Sequence, residues 1–276
     1  MSSLLDCGRF KLDLGVPRIM AIINVTPDSF SAPGHMTLDA AIRAAEVAVE
    51  EGADMLDIGG ESSRPGALPV SEQEELDRVL PVVEALASFG VPLSVDTVKP
   101  AVMTAAIRAG ADMINDIAGF RAEGALDAVA DTQVALCVMH MKGQPGTMQL
   151  APEYSDVCQE VSGFLAERVA ILEAAGVARS RIVLDPGFGF GKSLEHNLAM
   201  LRDLQGFMGL GFPLLVGMSR KTMLGQITGR DVSGRMVAGA VVAYAAVERG
   251  ARIVRTHDVA QTRDALRVWE ALESAA

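Results

Sequence analysis

Along this 276-residue chain, acid, amide and basic side chains recur just where short apolar runs stop: Asn24, Asp57, Asp96, Asn115, His140, Asp185, Ser219, and Arg255 with His257. Asp96, Asn115 and Asp185 supply two carboxylates and an amide. A carboxylate accepts two parallel hydrogen bonds, so this set suits a flat heterocycle with adjacent N–H donors. Arg64, Lys221, Arg255 and His257 are cationic donors of the kind that hold a phosphate group. Asn24 offers an amide oxygen that could ligate a hard divalent ion already carried by phosphate oxygens. No Ser or Cys stands beside a His and an acid as an obvious nucleophile. The four histidines also lack the spacing of a dedicated zinc site.

The densest of these stretches is Arg181–Ser193, RIVLDPGFGFGKS. Its apolar run Ile182-Val183-Leu184 reads as a buried strand that ends on Asp185. Pro186 and the alternating glycines Gly187, Gly189 and Gly191 stop the strand and let backbone pass close to a ligand. Taken alone, such a stretch reads equally well as a solvent-exposed turn capped by an aspartate. Its recurrence along the chain favours a site. One polar residue after a strand is ordinarily a turn former or a cap; a run of them, several charged, is hard to explain by capping.

Other elements must position these residues. Strands are predicted at Arg18–Val25, Met55–Ile58, Pro92–Val95, Met113–Ile114, Gln133–Met139, Ile182–Leu184, Leu214–Gly217 and Ile253–Val254. Between them, helical spacing is read at Leu38–Glu51, after Thr37 as N-cap, and from the Ser71/Glu74 capping-box pattern to about Phe89. Further helices are predicted from Pro100 to Gly110 and near Gly124–Ala130, then at Val157–Ala175, Leu194–Leu204, Arg235–Arg249 and Val259–Leu272. A weak repeat (Gly52-Ala53-Asp54, Gly110-Ala111-Asp112, Gly250-Ala251-Arg252) looks like a helix C-cap glycine feeding straight into a strand. Eight β-then-α units without a linker predict one α/β domain over residues 1–276, a single (β/α)8 TIM barrel, in preference to a doubly wound open sheet. In such a barrel all eight strand ends face one mouth.

Composition bounds the function. Half the residues are hydrophobic and 21% charged, so a large core is expected and disorder is not. A net charge of −11 argues against a nucleic-acid or anionic-membrane surface, though not against a local cationic pocket. The three cysteines, Cys7, Cys137 and Cys158, fit a reducing cytoplasm without a disulfide framework. No signal peptide is read at the N-terminus, and the longest apolar run, Val237–Val247, is too short to span a bilayer.

Some features mislead. GFGFGKS looks like a P-loop, but the first glycine of that motif falls on Pro186. His196 lies on a predicted helix and reads as surface rather than ligand; His35 sits in a polar loop and could be either. Met139 and Met141 read as barrel lining, with Met139 able to pack against a ligand ring.

Together, NVTPDSFS (Asn24–Ser31), DIGGESSRPGA (Asp57–Ala67), SVDT (Ser94–Thr97), NDI (Asn115–Ile117), MHMKGQPGTMQ (Met139–Gln149), DPGFGFGK (Asp185–Lys192), GMSRK (Gly217–Lys221) and RTHD (Arg255–Asp258) closely resemble the motifs of the dihydropteroate synthase family. The resemblance spans nearly the whole chain, with one motif at each strand end. It implies condensation of 6-hydroxymethyl-7,8-dihydropterin diphosphate with 4-aminobenzoate, giving dihydropteroate and diphosphate in folate biosynthesis. By position, it implies that Asp96, Asn115, Asp185 and Lys221 hold the pterin edge, near Gly217. Arg255 would stack on the pterin face, with Phe190 and Met139 nearby. Asn24, Arg64, Arg255 and His257 would surround the diphosphate and Mg²⁺, with Asn24 as the protein's metal ligand. Ser63 stands where many relatives carry Thr, and Thr222, where relatives often carry Ser, would lie by the aminobenzoate carboxylate. Phe30 and Pro65 lie in the loops expected to close around the aminobenzoate and to tune sulfonamide sensitivity.

An arylamine is already a neutral nucleophile at neutral pH, so the demanding step is expulsion of diphosphate. Cations stabilise its growing charge, and an SN1-like route through a delocalised methylene cation is expected. The loops Asn24–Gly34 and Gly60–Pro69, after the first and second strands, are then candidate flexible lids excluding water. The family also implies a homodimer, for which the apolar 237–247 helix is a candidate interface, although burial against the barrel explains it equally well. Two other readings are a methyltetrahydrofolate-dependent methyltransferase and a non-catalytic pterin-binding protein. The first would have less use for the phosphate-binding residues; the second should have lost some of them.

Overall fold

A computed structural model describes residues 4–26, 38–62, 66–144 and 146–275. Two short strands, β1 (Leu4–Cys7) and β2 (Phe10–Asp13), form an antiparallel hairpin. The chain then alternates strand and helix: β3 (Arg18–Asn24), α1 (Leu38–Glu50), β4 (Met55–Gly59), α2 (Glu72–Leu86), β5 (Leu93–Asp96), α3 (Pro100–Ala109), β6 (Met113–Asp116), α4 (Ala125–Val129), β7 (Ala135–Met139), α5 (Val157–Ala174) and β8 (Ile182–Asp185). After β8 come α6 (Leu194–Arg202), α7 (Leu204–Phe207), β9 (Leu214–Val216), α8 (Thr222–Thr228), α9 (Met236–Glu248), β10 (Ala251–Thr256) and α10 (Val259–Ser274). Strands β3 to β10 close into a parallel barrel in sequence order, β10 pairing with β3. The expected eight-stranded architecture is therefore present.

Strand periodicity explains where the two cores lie. Successive side chains point to opposite faces, so alternate residues share one side. Ile19, Ala21 and Ile23, Leu56 and Ile58, and Ile182 and Leu184 belong to the outer layer packed under the helices. Met20, Met55, Met113, Ala135, Cys137, Val183, Leu215 and Ile253 fill the barrel interior, where Leu5, Cys7 and Leu14 from the N-terminal segment join them. The hairpin thus plugs the bottom of the barrel. No strand was expected there, because its residues alternate too briefly to stand out in sequence.

The repeated glycines stand where their helices end, as expected: Gly110 is the C-cap of α3, and Gly250 follows the C-cap Arg249 of α9. Gly52, Gly110 and Gly250 have φ of +100°, +112° and +100°, a conformation that ends a helix at little cost only without a Cβ. After the first of these, Ala53 N reaches back to Ala48 O at 2.8 Å and the chain enters β4 at once. Ser71 caps α2 by accepting from Glu74 N at 3.2 Å. That helix ends at Leu86, three residues before the expected Phe89. Thr37 lies outside the described residues.

Candidate active site

The same alternation that packs the interior places the polar groups. Two residues beyond Met55 on β4 is Asp57; two beyond Met113 on β6 is Asn115; two beyond Val183 on β8 is Asp185; two beyond Ile253 on β10 is Arg255. Below lie methionines and aliphatic residues, and one pleat higher lie carboxylates, an amide and a guanidinium. The register continues this level around the barrel: Asn24 is opposite Gly59, Gly59 opposite Asp96, and Asp96 opposite Asn115.

Arg255 ties the level together. Its Nε donates to Asp57 Oδ2 at 2.6 Å and an Nη to Asp96 Oδ2 at 2.9 Å. Asn115 Nδ2 donates to the same Asp57 oxygen at 3.2 Å. Asp57 is completely buried. Asp57 Oδ1, Asn115 Oδ1 and Ser94 Oγ, also buried, have no hydrogen-bond partner among the described residues. A buried acceptor without a donor is unfavourable, so these atoms make the level rich in unused accepting capacity. Burial pushes the Asp96 carboxyl up to about 7; Arg255 opposes the rise, and Asp57, Glu75 and Asp116 add to it. The Arg255 guanidinium stays charged, its pKa raised by the carboxylates despite burial.

On the opposite side, Asp185 Oδ1 accepts from Gly187 N at 2.7 Å. Burial raises the Asp185 pKa, with Lys221 opposing. Lys221 stands immediately before α8, its ammonium donating to Phe188 O and lying 4.5 Å from the centre of the Phe190 ring. Burial brings the Lys221 ammonium down to about 8; Asp185 resists this and Arg255 reinforces it. Met139 and Phe190 belong to one small buried cluster with Ile117, Met141 and Met148. Gly217 follows β9, and a Cβ there would come within 3.6 Å of Arg255 Cβ. His257 closes the set: its backbone N–H donates to Ser219 Oγ at 3.2 Å, and its Nδ1 is 3.1 Å from the same hydroxyl.

Asn24, Asp96, Asn115, Met139, Asp185, Phe190, Gly217, Lys221, Arg255 and His257 therefore gather at or above the ends of the barrel strands. Thr222, the first residue of α8, is exposed beside Lys221. Phe30, Ser63, Arg64 and Pro65 lie outside the described residues, as do most of the first expected lid and residues 63–65 of the second.

Three placements differ from the sequence reading. Asp57 was read as one polar strand end among many, yet it orients both Arg255 and Asn115; its even spacing from Met55 was the available signal. His140 falls on the opposite parity from Met139 and Asp185. It packs edge-on against Phe164, ring centres 5.0 Å apart, instead of facing the mouth. His196 is half-buried in the capping box of α6, where its Nδ1 accepts from Ser193 N at 3.2 Å.

Comparison with known proteins agrees with this arrangement. The family model for pterin binding enzymes matches residues 20–257. A dihydropteroate synthase of Escherichia coli strain K12 is 50% identical over 266 residues, 96% of this chain and 94% of its own length. The dihydropteroate synthase of Yersinia pestis, solved with a sulfonamide drug complex, is 48% identical and superposes with a TM-score of 0.95 over 98% of this chain and 99% of its own. That of Burkholderia cenocepacia, complexed with 7,8-dihydropteroate, is 52% identical with a TM-score of 0.91 over 99% and 97%.

Proposed function

We infer the activity from a premise that these matches supply: the chain belongs to the dihydropteroate synthase family of pterin-binding enzymes. It condenses 6-hydroxymethyl-7,8-dihydropterin diphosphate with 4-aminobenzoate to give 7,8-dihydropteroate and diphosphate, a transferase reaction of folate biosynthesis.

The observation that carries the assignment of roles is the acceptor-rich level at the strand ends. A pterin presents its amino group and ring N–H groups along one edge. The Asp96 and Asp185 carboxylates and Asn115 Oδ1, which has no partner among the described residues, offer acceptors to that edge. Lys221 supplies the complementary donor to ring acceptors. Arg255, held in plane by Asp57, presents a guanidinium for stacking on the pterin face, with Met139, Phe190 and Gly217 framing the ring. Ser63, Arg64 and His257, with Arg255, receive the diphosphate; Thr222, Phe30 and Pro65 bound the aminobenzoate.

The chemistry follows from charge. Bond cleavage at the pterin methylene leaves positive charge on the pterin and negative charge on the departing diphosphate. Arg255, bonded to the Asp57 and Asp96 carboxylates and two residues before His257, would serve both partners. The arylamine attacks without a base, and its proton is lost after the C–N bond has formed. Among the described residues no group of three or more His, Cys, Asp or Glu could hold a metal. A single amide oxygen from Asn24 suits Mg²⁺, which keeps most of its waters and rides on phosphate oxygens. When bound, the ion would neutralise leaving-group charge.

We place the protein in the cytoplasm: Cys7, Cys137 and Cys158 are all free thiols, and no helix among the described residues is long and apolar enough to cross a membrane. For a homodimer, α9 and α10 are the candidate face. Val242, Ala243, Ala246 and Val247 pack inward, while Val237, Val241, Val268 and Leu272 are exposed, each more than half.

The test is diphosphate release from the pterin diphosphate, with and without 4-aminobenzoate, in Mg²⁺ and in EDTA. Mg²⁺-dependent release coupled to dihydropteroate formation is expected. Pterin binding without turnover would indicate a non-catalytic pterin-binding protein. Methyl transfer from methyltetrahydrofolate would replace the assignment altogether.

A further inference from the structure

Lys192 belongs to no part of the site described above, yet it is one of the most buried charged residues of the protein, with 3% of its surface exposed. Its Nζ donates to Gly187 O at 2.9 Å and to Phe190 O at 3.0 Å, and lies 2.9 Å from His140 Nδ1. While Lys192 is protonated it has three protons and no lone pair, so His140 accepts through Nδ1. Burial, together with the nearby cations Lys192, Arg121 and Lys142, pushes the imidazole pKa down to about 3, which keeps this ring neutral. All three protons of the ammonium are therefore used.

The carbonyls it grips belong to the loop between Asp185 and Phe190. That loop presents three groups to the substrate level: the Asp185 carboxylate, fixed by Gly187 N; Phe188 O, which accepts from Lys221; and the Phe190 ring beneath Lys221. Left to itself, a stretch with glycines at 187, 189 and 191 would be loose. It also lies hard against the end of β7: a Cβ on Gly187, at φ +72°, would fall 1.9 Å from His140 O. Asn197 of α6 braces the outside of the same loop, accepting from Gly189 N at 2.7 Å.

We propose that Lys192 is a positioning residue for the condensation, an internal ammonium that pins the 187–190 loop to the end of β7 and so fixes Asp185, Phe190 and the seat of Lys221 for the pterin. The inference rests on the pterin assignment above. It explains why the sequence places a lysine at the end of a glycine run that is no P-loop: the phosphate mimics are the protein's own carbonyls. It also gives His140 a use away from the mouth, as the third acceptor that keeps the ammonium satisfied. Burial pulls Lys192 down to about 7, Asp185 opposing and Lys221 and Lys142 adding to the fall.

The experiment compares wild type with Lys192→Met, His140→Leu and His140→Asn, measuring steady-state kinetics for both substrates, pterin diphosphate affinity and thermal unfolding. Lys192→Met should raise KM for the pterin about tenfold or more, the loss expected when charge-assisted hydrogen bonds disappear. KM for 4-aminobenzoate should change less than about threefold. The smaller change His140→Leu should shift the pterin KM in the same direction even if the lysine variant does not fold. His140→Asn, whose Oδ1 can take the place of Nδ1, should restore much of the loss. Variants that are less stable but keep the wild-type pterin KM would overturn the inference alone. A wild type that binds no pterin diphosphate would overturn the functional assignment and this inference with it.

Discussion

Arg255 Nε donates to Asp57 Oδ2 at 2.6 Å, joining the last barrel strand to the second across β3. Asp57 is wholly buried, whereas the Arg255 side chain is 19% exposed, so the carboxylate faces inward and the guanidinium reaches the mouth. Asp57 also receives Asn115. One buried carboxylate thus sets the orientation of a cation and an amide that have different roles toward the substrate.

Removing one partner of a buried ion pair leaves the other uncompensated, at a cost of about 3–5 kcal/mol in favourable cases. Arg255→Ala should therefore lower the unfolding midpoint by several degrees and also abolish measurable turnover. Asp57→Asn keeps a hydrogen-bonding oxygen and should lose less stability, yet raise the pterin KM. Calorimetry beside kinetics separates the two effects; a normal pterin KM in Asp57→Asn would remove Asp57 from the site.

Asp185→Asn keeps an oxygen to accept from Gly187 N, so its loop should hold its shape. Burial already disfavours the Asp185 carboxylate, and the amide relieves that cost. We expect unchanged or slightly higher stability with pterin affinity down about tenfold, the loss of one charge-assisted contact. Titration calorimetry with the pterin diphosphate checks it, and undiminished affinity would refute the assigned role.

Lys221, with a folded pKa near 8, loses its proton within an accessible range. As pH rises through that value, fewer molecules carry the ammonium that faces the pterin, so pterin KM should climb on the alkaline side. Lys221→Met should lie on a high, flat profile instead. The stability sign is opposite: between about 8 and the ordinary 10.5 the unfolded chain binds more protons, so folding is favoured as pH rises there.

His140 gives an acid-side test. Its folded pKa is about 3 against an ordinary 6.5, so between these values the unfolded state holds the extra proton. This group therefore contributes stability that is complete above 6.5 and is lost toward 3, with a slope approaching 1.4 kcal/mol per pH unit. Asp96 and Asp116, raised to about 7 and 6, run the other way, gaining stability as pH falls toward the ordinary carboxylate value. Relative to wild type, His140→Asn should flatten the acid-side loss in pH-dependent denaturant titrations. An identical slope would show that His140 does not titrate in this way.

Asn24→Ala should raise the Mg²⁺ concentration for half-maximal turnover about tenfold, the expected effect of losing one protein oxygen from a weakly held ion. A Mg²⁺ titration of product formation reads this directly. An unmoved midpoint would take Asn24 away from the metal.

The barrel was legible because its strands are short, apolar and separated by capped helices, and the mouth because polar residues follow those strands. The level of the polar ring was not read from the sequence, although the even spacing Met55–Asp57 and Met113–Asn115 carried it. Pair geometry was not legible: no pattern says that Asp57 would serve Arg255, 198 residues away. Lys192 was hidden for a different reason. Its neighbours imitate a nucleotide-binding loop, and the partners that explain it are backbone carbonyls, which carry no sequence signature. The β1–β2 hairpin was missed because its four-residue strands, LLDC and FKLD, gain their stability from residues elsewhere.

Those distant partners bear on the order in which the molecule assembles. Gly8 N bonds Gln133 O, Arg9 forks onto Asp112, and Asp6 accepts from Ser180 Oγ. The β1–β2 hairpin thus takes its partners from the residues that lead into β6, β7 and β8. Closing loops of 103 and 174 residues is entropically slow, so the plug is expected to seat late. In the folded protein that plug is what keeps Met20, Met55 and Met113 from water, so the barrel floor is sealed by a segment far in sequence from most of it.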